Sequence, residues 1–236
     1  MVAALNIQEA DMATTSIILV HGAWADGSSW AKVIPLLTAR GHKVTAVQLP
    51  LTALADDAAT VARAIELEEG PVVLAGHSYG GAVITEAGNH PKVKALAYIA
   101  AFAPDAGESA GLLGASVDPS PLAPEVRPDA HGFLKLTEAG CYASFAQDLA
   151  AAEREIVFAV QGPTAGAALG GTISQPAWRT KPSWYLVASQ DGAIQPSLER
   201  RMAKRIGAST TEIDASHLAM LSRPEVVADV IAKAAG

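Results

Sequence analysis

Residues 72–86 read Val-Val-Leu-Ala-Gly-His-Ser-Tyr-Gly-Gly-Ala-Val-Ile-Thr-Glu and join a short apolar run to a helical pattern. The apolar run is typical of a strand that is buried on both faces of a sheet. A serine in the tight turn between such a strand and a helix projects above the sheet, where a substrate can reach it. Side chains two residues before and after it would collide, which accounts for Gly76 and Gly80. The stretch therefore predicts a nucleophile at Ser78.

The alternation of strand and helix continues on both sides of this turn. Apolar runs predict strands at residues 16–20, 44–49, 72–75, 93–100, 183–188 and 210–213. Ser28 or Ser29 is predicted to cap the first helix. Asp56 and Asp57 are predicted to open the second helix. Because consecutive strand–helix–strand units are right-handed and build a parallel sheet covered on both faces, we expect an α/β fold with a mostly parallel, doubly wound sheet.

The strand–helix rhythm is interrupted after Pro104, where prolines and short alanine-rich stretches follow. A structureless insertion of that length is unusual in a compact domain. We therefore interpret residues 105–178 as a small helical cap over the carboxyl ends of the strands, where open α/β sheets bind ligands. The predicted core comprises residues 14–104 and 179–236, and residues 1–13 form an N-terminal tail.

Composition and charge exclude several classes of protein. The 236 residues are 50% hydrophobic and 17% charged, which argues against a disordered chain. The net charge is −7, and lysines and arginines are scattered apart from a helical stretch at residues 199–205, so we expect no nucleic-acid partner. The longest apolar stretch, residues 95–104, is too short for a bilayer, which needs about 20 residues. With no signal-like start, these features predict a cytoplasmic protein without a membrane partner.

The sequence contains no pattern typical of a metal site. The single cysteine, Cys141, rules out an internal disulfide and a cysteine-based zinc site, and we interpret it as a small buried hydrophobic residue. The histidines lack the paired spacing with carboxylates that metal ligands show. We therefore expect neither a metal nor a cofactor. The sequence leaves the oligomeric state open.

A nucleophilic serine needs a base, and the base needs an acid to orient it. Of the six histidines, only His217 follows the last predicted strand, at the sheet edge where Ser78 is expected. Histidine titrates near neutral pH, which suits a group that takes and returns a proton. His217 is therefore the candidate base.

Three carboxylates compete for the orienting role. Asp191 lies where strand 183–188 runs into a tight Asp-Gly turn, so its carboxylate can reach an imidazole. Asp105, after strand 93–100, is the competing acid, and Asp214 is the weakest candidate. The chain order nucleophile, acid, histidine, which holds in folds of this type, favours Asp191.

The loop at residues 21–30 reads His-Gly-Ala-Trp-Ala-Asp-Gly-Ser-Ser-Trp and supplies the other half of the predicted site. The backbone N–H of Ala23 can join that of Tyr79, after the nucleophile, to form an oxyanion hole. We interpret His21 as a structural hydrogen-bonding residue at the base of this loop. The residues predicted to line an apolar substrate pocket are Trp24, Phe133, Tyr142, Phe145, Phe158 and Leu218. Packing of the cap onto the core is the alternative role for the cap residues.

The His-Gly-Ala-Trp loop, the Gly-His-Ser-Tyr-Gly-Gly turn, Gln190-Asp191 and Ser216-His217 occur in this order. In this combination the chain resembles the α/β-hydrolase superfamily over about residues 16–234. It is most similar to the small-lid branch, which contains methyl-salicylate-type esterases, hydroxynitrile lyases and related bacterial esterases. The resemblance implies a catalytic triad of Ser78, Asp191 and His217, with the amides of Ala23 and Tyr79 as oxyanion donors.

Two departures from this branch bear on the reaction. Hydroxynitrile lyases of the branch carry threonine where this chain has Gly22 and lysine where it has Leu218, and the absence of both favours ester hydrolysis. Ser78 in place of an aspartate likewise disfavours a haloalkane dehalogenase. We expect a serine hydrolase that cleaves a small, largely neutral ester, thioester or lactone. The alternatives are a ligand-binding or signalling protein that keeps the triad, and a lyase or C–C hydrolase on the same scaffold.

Overall fold

The apolar runs of the sequence form a six-stranded parallel sheet at the centre of the molecule. The computed structural model describes residues 15–236, and the predicted tail at residues 1–13 lies outside this range. The strands within it are β1 (Ser16–Val20), β2 (Lys43–Ala46), β3 (Val72–Ser78), β4 (Val93–Ala101), β5 (Val126–Pro128), β6 (Phe133–Leu136), β7 (Thr164–Ala165), β8 (Ser183–Ala188) and β9 (Ser209–Ile213).

Helices connect these strands. In the described range the α-helices are α1 (Val33–Thr38), α2 (Leu54–Glu66), α3 (Gly80–Ala87), α4 (Ala110–Ala115), α5 (Glu138–Gly140), α6 (Ala151–Ala159), α7 (Gly166–Gly170), α8 (Pro196–Arg205), α9 (Ala219–Ser222) and α10 (Pro224–Ala235). Short 3-10 turns and one π-helical turn, Cys141–Phe145, supplement them. None of the helices in this part of the chain combines the length and apolar character needed to cross a membrane.

Alternating side chains of each central strand supply two separate core layers. In β1, Ile17 and Leu19 pack with α1 and α10 on one face, while Ile18 and Val20 pack with α2, α3 and α8 on the other. All four side chains are fully buried. Burial of an aliphatic side chain of this size contributes about 1.5–3 kcal/mol, so a strand buried on both faces stabilises the fold with every residue. The predicted doubly wound α/β fold is confirmed.

The strand order places a binding site at one position of the sheet. The order is β2-β1-β3-β4-β8-β9, so the chain winds outward from β1 to β2 and then returns to continue from β3 in the opposite direction. Where the winding direction reverses, the connections leaving the carboxyl ends of β1 and β3 diverge and open a crevice. Ser78 is the last residue of β3, and the loop that begins at His21 directly follows β1.

The segment between the two halves of the main sheet, residues 105–178, contains a small sheet as well as helices. Its strands have the antiparallel order β5-β6-β7. The Asp129 carboxylate accepts the backbone N–H groups of His131 and Phe133 and so closes the turn between β5 and β6. The prediction of a helical segment missed these strands because they are short and carry no long apolar alternation. The division into core and cap at its boundaries stays a prediction.

Two element boundaries differ from the predictions for identifiable reasons. Strand β2 ends at Ala46 instead of Leu49, because the Leu49 N–H donates to Nε2 of His21 and not to a neighbouring strand. The helical turn after the first loop is capped by Asp26 rather than by a serine, since the Asp26 carboxylate accepts the N–H of Ser28 at 2.7 Å.

Packing at the start of α3 leads to a first prediction. A Cβ atom added at Gly81 would lie 2.2 Å from the carbonyl oxygen of Phe102 and 2.8 Å from Cβ of Ala101. Gly81→Ala should therefore lower the free energy of unfolding by about 1–3 kcal/mol through overpacking. Gly114→Ala is the matched control, because an added Cβ meets nothing within 4 Å there. It should leave stability unchanged or raise it by up to about 1 kcal/mol, since alanine favours helix. Urea denaturation measures both, and equal stability of the two variants would contradict the argument.

Candidate active site

Ser78 occupies a strained turn between β3 and α3. Its φ of +53° lies in the left-handed region, which a non-glycine residue adopts only where the surroundings enforce it. A Cβ added at Gly76 would lie 2.5 Å from the carbonyl oxygen of Gly80, and one added at Gly80 would lie 2.5 Å from that of Val20. The backbones therefore approach as closely as the sequence pattern predicted, and glycine is required at both positions.

Asp191 and His217 meet in a buried hydrogen bond. Nδ1–H of His217 donates to Oδ2 of Asp191 at 2.5 Å, and neither side chain is exposed to solvent. The other carboxylate oxygen, Oδ1, accepts the backbone N–H groups of Ala193 and Ile194 at 2.7 and 2.8 Å. These donors fix the carboxylate, so it holds the imidazole in one orientation and with its proton on Nδ1.

The two competing acids lie elsewhere. The Asp105 carboxylate forms an ion pair with Arg179 at 2.5 Å, and Asp214 is exposed. Neither contacts His217 among the hydrogen bonds of the described residues, whereas Asp191 does. The chain-order argument and the turn at residue 191 thus selected the carboxylate that contacts the histidine.

The second ring nitrogen of His217, Nε2, is buried and has no hydrogen-bond partner among residues 15–236. The imidazole lies between the rings of His77 and Phe145, at centroid distances of 4.6 and 5.1 Å. His77 directly precedes Ser78 in the chain, so this contact brings His217 next to the nucleophile turn. Because Nδ1 carries the proton, Nε2 has a free lone pair that can accept one.

His77 is a site residue that sequence reasoning missed. Its Nε2–H donates to the backbone carbonyl of His217 at 2.9 Å and so ties the loop after β9 to the end of β3. Burial, reinforced by the nearby His217, holds the pKa of His77 well below its usual range and keeps the ring neutral. Its position next to the serine was visible in the sequence, but its partner is a backbone atom 140 residues away.

His21 has the structural role that its place at the loop base predicted. One ring nitrogen accepts the N–H of Leu49, and the other donates to the carbonyl of Gly22, both at 2.9 Å. Burial lowers the pKa of His21, which keeps the ring neutral. The imidazole therefore fixes the start of the loop that carries Ala23.

The two predicted oxyanion donors lie beside Ser78. Ala23 and Tyr79 line the same cavity as the serine. The next residue, Trp24, has a φ of +56° and anchors the loop to the 105–178 segment. Its backbone N–H donates to Thr164 and its indole N–H donates to the carbonyl of Leu134, at 3.1 and 3.0 Å. The small sheet of that segment thus sets the position of the loop.

A buried carboxylate holds the side chain of Tyr79. The Tyr79 hydroxyl donates to Oδ2 of Asp57 at 2.6 Å, and the N–H of Leu51 donates to Oδ1 at 2.8 Å. Asp57 lies in the first turn of α2, as predicted, and is fully buried. Burial raises the pKa of Asp57 above its ordinary value, although both hydrogen bonds oppose that rise. Burial and the Asp57 charge also raise the pKa of Tyr79, which stays protonated as the donor.

A cavity of about 180 Å³, the Ser78 cavity, opens beside the nucleophile turn. Besides Ala23, Ser78 and Tyr79, its walls include Phe102, Leu122, Leu169 and Ile194. It adjoins a cavity of about 470 Å³ that shares Phe102 and Ile194 and reaches Asp118 and Gln195 at its far side. Among the described residues that line the Ser78 cavity, none has a charged side chain. The site therefore offers apolar contacts and few polar anchors.

The predicted pocket residues divide into three groups. Trp24 lines the Ser78 cavity. Phe145 and Leu218 line a different cleft of about 280 Å³, which also borders Trp24. Phe133, Tyr142 and Phe158 line neither space: Phe133 lies in β6, and the other two pack against each other with ring centroids 6.4 Å apart. For these three a role in the substrate pocket stays a prediction, because the sequence shows that a ring lies in the segment but not where it points.

The fold and these motifs agree with a known family. A model of the alpha/beta hydrolase family matches residues 17–230. The chain belongs to the α/β hydrolase family. The resemblance seen in the sequence is therefore confirmed, and this α/β hydrolase matches the family model from β1 into α10.

Relatives of this α/β hydrolase include a pyrethroid hydrolase and a carbendazim hydrolyzing esterase. The pyrethroid hydrolase of Sphingobium wenxiniae is 28% identical over 94% of this chain and 88% of its own length. The carbendazim hydrolyzing esterase of a Nocardioides species is 33% identical over 47% of this chain, and the match spans 50% of that esterase. A crystal structure of the pyrethroid hydrolase PytH is similar with a TM-score of 0.83 and 27% identity, covering 93% of this chain and 96% of that one.

The Tyr79–Asp57 hydrogen bond leads to a second prediction. Tyr79→Phe should lower the free energy of unfolding by about 1–3 kcal/mol, because it leaves a buried carboxylate oxygen without its donor. The pKa of Asp57 is raised in the folded state, so folding favours its neutral form and stability falls as the pH rises through that pKa. Loss of the hydroxyl raises the pKa further. The variant should therefore lose more stability than the wild type between about pH 4 and pH 7.

Urea denaturation at the two pH values measures this difference. Tyr98→Phe is the matched control, because the buried Tyr98 hydroxyl contacts the neutral hydroxyl of Thr85 at 2.9 Å. Tyr98→Phe should lower the free energy of unfolding by the same amount at both pH values. A pH-independent cost for Tyr79→Phe would show that the ionised carboxylate gains nothing from the tyrosine.

Proposed function

We propose that this chain is a serine hydrolase that cleaves small, largely neutral carboxylic esters through a triad of Ser78, His217 and Asp191. The observation that carries the proposal is the buried Asp191–His217 hydrogen bond, with Nε2 of His217 unpartnered among the described residues and the imidazole ring against His77, which directly precedes a serine held in a left-handed turn. The relatives support the same chemistry, since those matched by sequence include a pyrethroid hydrolase and a carbendazim hydrolyzing esterase.

In the first half of the reaction, Oγ of Ser78 attacks the acyl carbon of the ester and its proton passes to Nε2 of His217. The imidazolium that forms is stabilised by the Asp191 carboxylate, which accepts from Nδ1. The backbone N–H groups of Ala23 and Tyr79 donate to the oxyanion; one such donor is worth about 10²–10³ in rate. The tetrahedral intermediate then collapses, and His217 returns the proton to the departing alcohol.

In the second half, water enters beside the acyl-Ser78 ester. Nε2 of His217 takes a proton from the water, and the resulting hydroxide attacks the acyl carbon under the same oxyanion donors. Collapse of this intermediate releases the carboxylic acid and returns the proton to Ser78. His217 accepts and returns the proton in both halves of the reaction, so the triad and the backbone donors are sufficient for hydrolysis.

We also propose that residues 105–178 act as the cap of the site. Leu122 and Leu169 of this segment line the Ser78 cavity, and Leu134 and Thr164 hold Trp24 of the oxyanion loop. The segment therefore shapes both the substrate space and the loop that carries Ala23. Apart from Ser120, its contribution to the cavity is apolar, which suits the acyl or alcohol chain of a neutral ester.

Ester hydrolysis fits the site better than cyanohydrin cleavage. A Cβ atom at Gly22 would lie 2.6 Å from Cβ of Ser78, so the backbone as it runs here has no room for the threonine of the lyases. Leu218 is buried and apolar in place of their lysine, so no cation lies next to His217 at this position. A pocket without that cation gives no charge stabilisation to a departing cyanide.

Ser78→Ala should reduce hydrolysis of a short-chain p-nitrophenyl ester by about 10⁴-fold or more, because the acyl-enzyme can no longer form. Release of p-nitrophenolate measures the rate. Ser209→Ala, an exposed serine at the start of β9, is the control and should hydrolyse the ester like the wild type. Unchanged turnover in Ser78→Ala would disprove the assignment. Stoichiometric labelling of Ser78 by a fluorophosphonate, without turnover of any ester, thioester or lactone, would favour a ligand-binding role instead.

The apolar walls predict a preference between two esters of similar size. p-Nitrophenyl butyrate should be hydrolysed with a kcat/KM about 10²-fold or more above that of the p-nitrophenyl hemiester of succinic acid. The reason is that the second ester must bring an ionised carboxylate into a cavity without a cationic side chain. Each kcat/KM is divided by the rate constant of the same ester for hydrolysis by hydroxide, which removes the difference in intrinsic reactivity between the two esters. Equal corrected values would show that the acyl chain does not enter this cavity.

A further inference from the structure

Glu199 is a buried acid close to the triad for which the proposed mechanism has no use. It lies on α8, behind the turn that carries Asp191, and its side chain is fully buried. Glutamate is almost never fully buried unless it is paired. It belongs to the basic helical stretch at residues 199–205, and only the fold directs its side chain inward.

The two carboxyl oxygens of Glu199 have different surroundings. Oε2 accepts the backbone N–H of Ala188, the last residue of β8, at 3.0 Å. Oε1 accepts no hydrogen bond from any of the described residues. Ala188 also joins Glu199 to the triad acid, because the N–H of Asp191 donates to the carbonyl of Ala188 at 3.2 Å, so the turn that carries Asp191 begins at the residue that Glu199 binds. The Asp191 carboxylate, itself an acceptor, is the nearby charged group that acts most strongly on the Glu199 carboxyl group. Two acceptors can make a hydrogen bond only if one of them carries a proton.

The hydrogen bonds around the pair decide which carboxyl group is protonated. Asp191 accepts three donors, from Ala193, Ile194 and His217, whereas Glu199 accepts only the N–H of Ala188. Donors stabilise the charged form of a carboxylate, so the negative charge belongs to Asp191 and the proton to Glu199. Burial, and then the charge of Asp191, raise the pKa of Glu199 well above its ordinary value, in agreement with this distribution.

The other ionisable groups around Glu199 do not replace this proton. Tyr185, on the adjacent strand β8, donates its hydroxyl to the carbonyl of Ala101. Arg200, the next residue on α8, points outward and forms a bidentate pair with Glu212 of β9, at 2.6 and 3.0 Å. Neither neutralises the buried carboxyl group directly. A proton on Glu199 itself is therefore what makes burial of its carboxyl group tolerable.

We propose that Glu199 is a positioning residue of the active site: its neutral carboxyl group accepts from Ala188 and donates its proton to the Asp191 carboxylate. The carboxyl group thereby connects the end of β8 to Asp191 and fixes the position of the acid that orients His217. It also withdraws part of the negative charge that Asp191 presents to the imidazole. This role rests on the proposed triad, and it extends the Ser78–His217–Asp191 chain by a fourth residue that does not touch the substrate.

Two substitutions separate this role from simple packing. Glu199→Gln keeps one acceptor for Ala188 and one donor for Asp191, so it reproduces the neutral acid. Glu199→Met fills similar volume but donates nothing. Glu212→Gln is the control, since it removes a carboxylate from the same neighbourhood at an exposed position. The assay is the pH profile of kcat and KM for p-nitrophenyl butyrate with each full-length variant.

Glu199→Gln should keep kcat within about threefold of the wild type and leave the acid limb of the profile in place. Glu199→Met should lower kcat about ten- to hundredfold with little change in KM, because the acid and the imidazole lose their fixed position. Its acid limb should move to higher pH by about half a unit or more, since the unshared Asp191 charge favours protonation of His217. Glu212→Gln should match the wild type throughout.

The proposal is overturned if folded Glu199→Gln loses as much kcat as Glu199→Met, or if Glu199→Met leaves the acid limb where it is. A second readout does not depend on ester hydrolysis: the low-field ¹H NMR signal of the Nδ1 proton of His217, identified by its loss in His217→Ala. This signal should keep its position in Glu199→Gln and move in Glu199→Met. If no ester is turned over, or if Glu199→Met does not fold, the position of the signal in Glu199→Gln decides, and a shift there overturns the proposal.

Discussion

The close approach of three backbone segments at the end of β3 is the constraint on which the site depends. The chain leaving Ser78 passes so near Val20 that a Cβ atom at Gly80 would lie 2.5 Å from the Val20 carbonyl oxygen. This contact sets the start of α3 against the end of β1, and it holds Ser78 at a φ of +53°. The two doubly covered strands supply the rigidity, because their side chains are buried in core layers on both faces. The strained serine is therefore a consequence of the packing of the whole sheet.

Neutral buried groups surround the hydrogen bond between Asp191 and His217. His21 and His77 both have lowered pKa values and bind backbone atoms, so they act as fixed connectors between loops. The carboxylate of Asp191 is stabilised by backbone donors and lies against His217. In surroundings of low polarity, an isolated charge is costly and an opposite charge that forms nearby is strongly stabilised. This arrangement suits a site in which an imidazolium forms and disappears during each half-reaction.

The sequence was sufficient for the features that rest on local rules. The turn glycines, the strand–helix rhythm and the chain order of Ser78, Asp191 and His217 follow from sterics and from the handedness of crossovers. Features that depend on the direction of side chains could not be predicted from the sequence. Phe133, Tyr142 and Phe158 carry rings in the expected segment, yet the Ser78 cavity is lined by Phe102, Leu122 and Leu169 instead. The short strands β5, β6 and β7 were missed because they carry no long apolar alternation, and because β7 pairs with β6 from a distant part of the segment.

The sequence by itself determined the fold class, the nucleophile turn and the pairing of an acid with a histidine, because each leaves a mark on a few neighbouring residues. The tertiary structure alone decided which polar residues are buried. Asp57 and Glu199 look like ordinary members of charged helices, but the folded chain places one against Tyr79 and the other against Asp191. Burial depends on the packing of distant elements, and it turns a solvated carboxylate into a protonated or strongly hydrogen-bonded one. No local pattern of residues records that change.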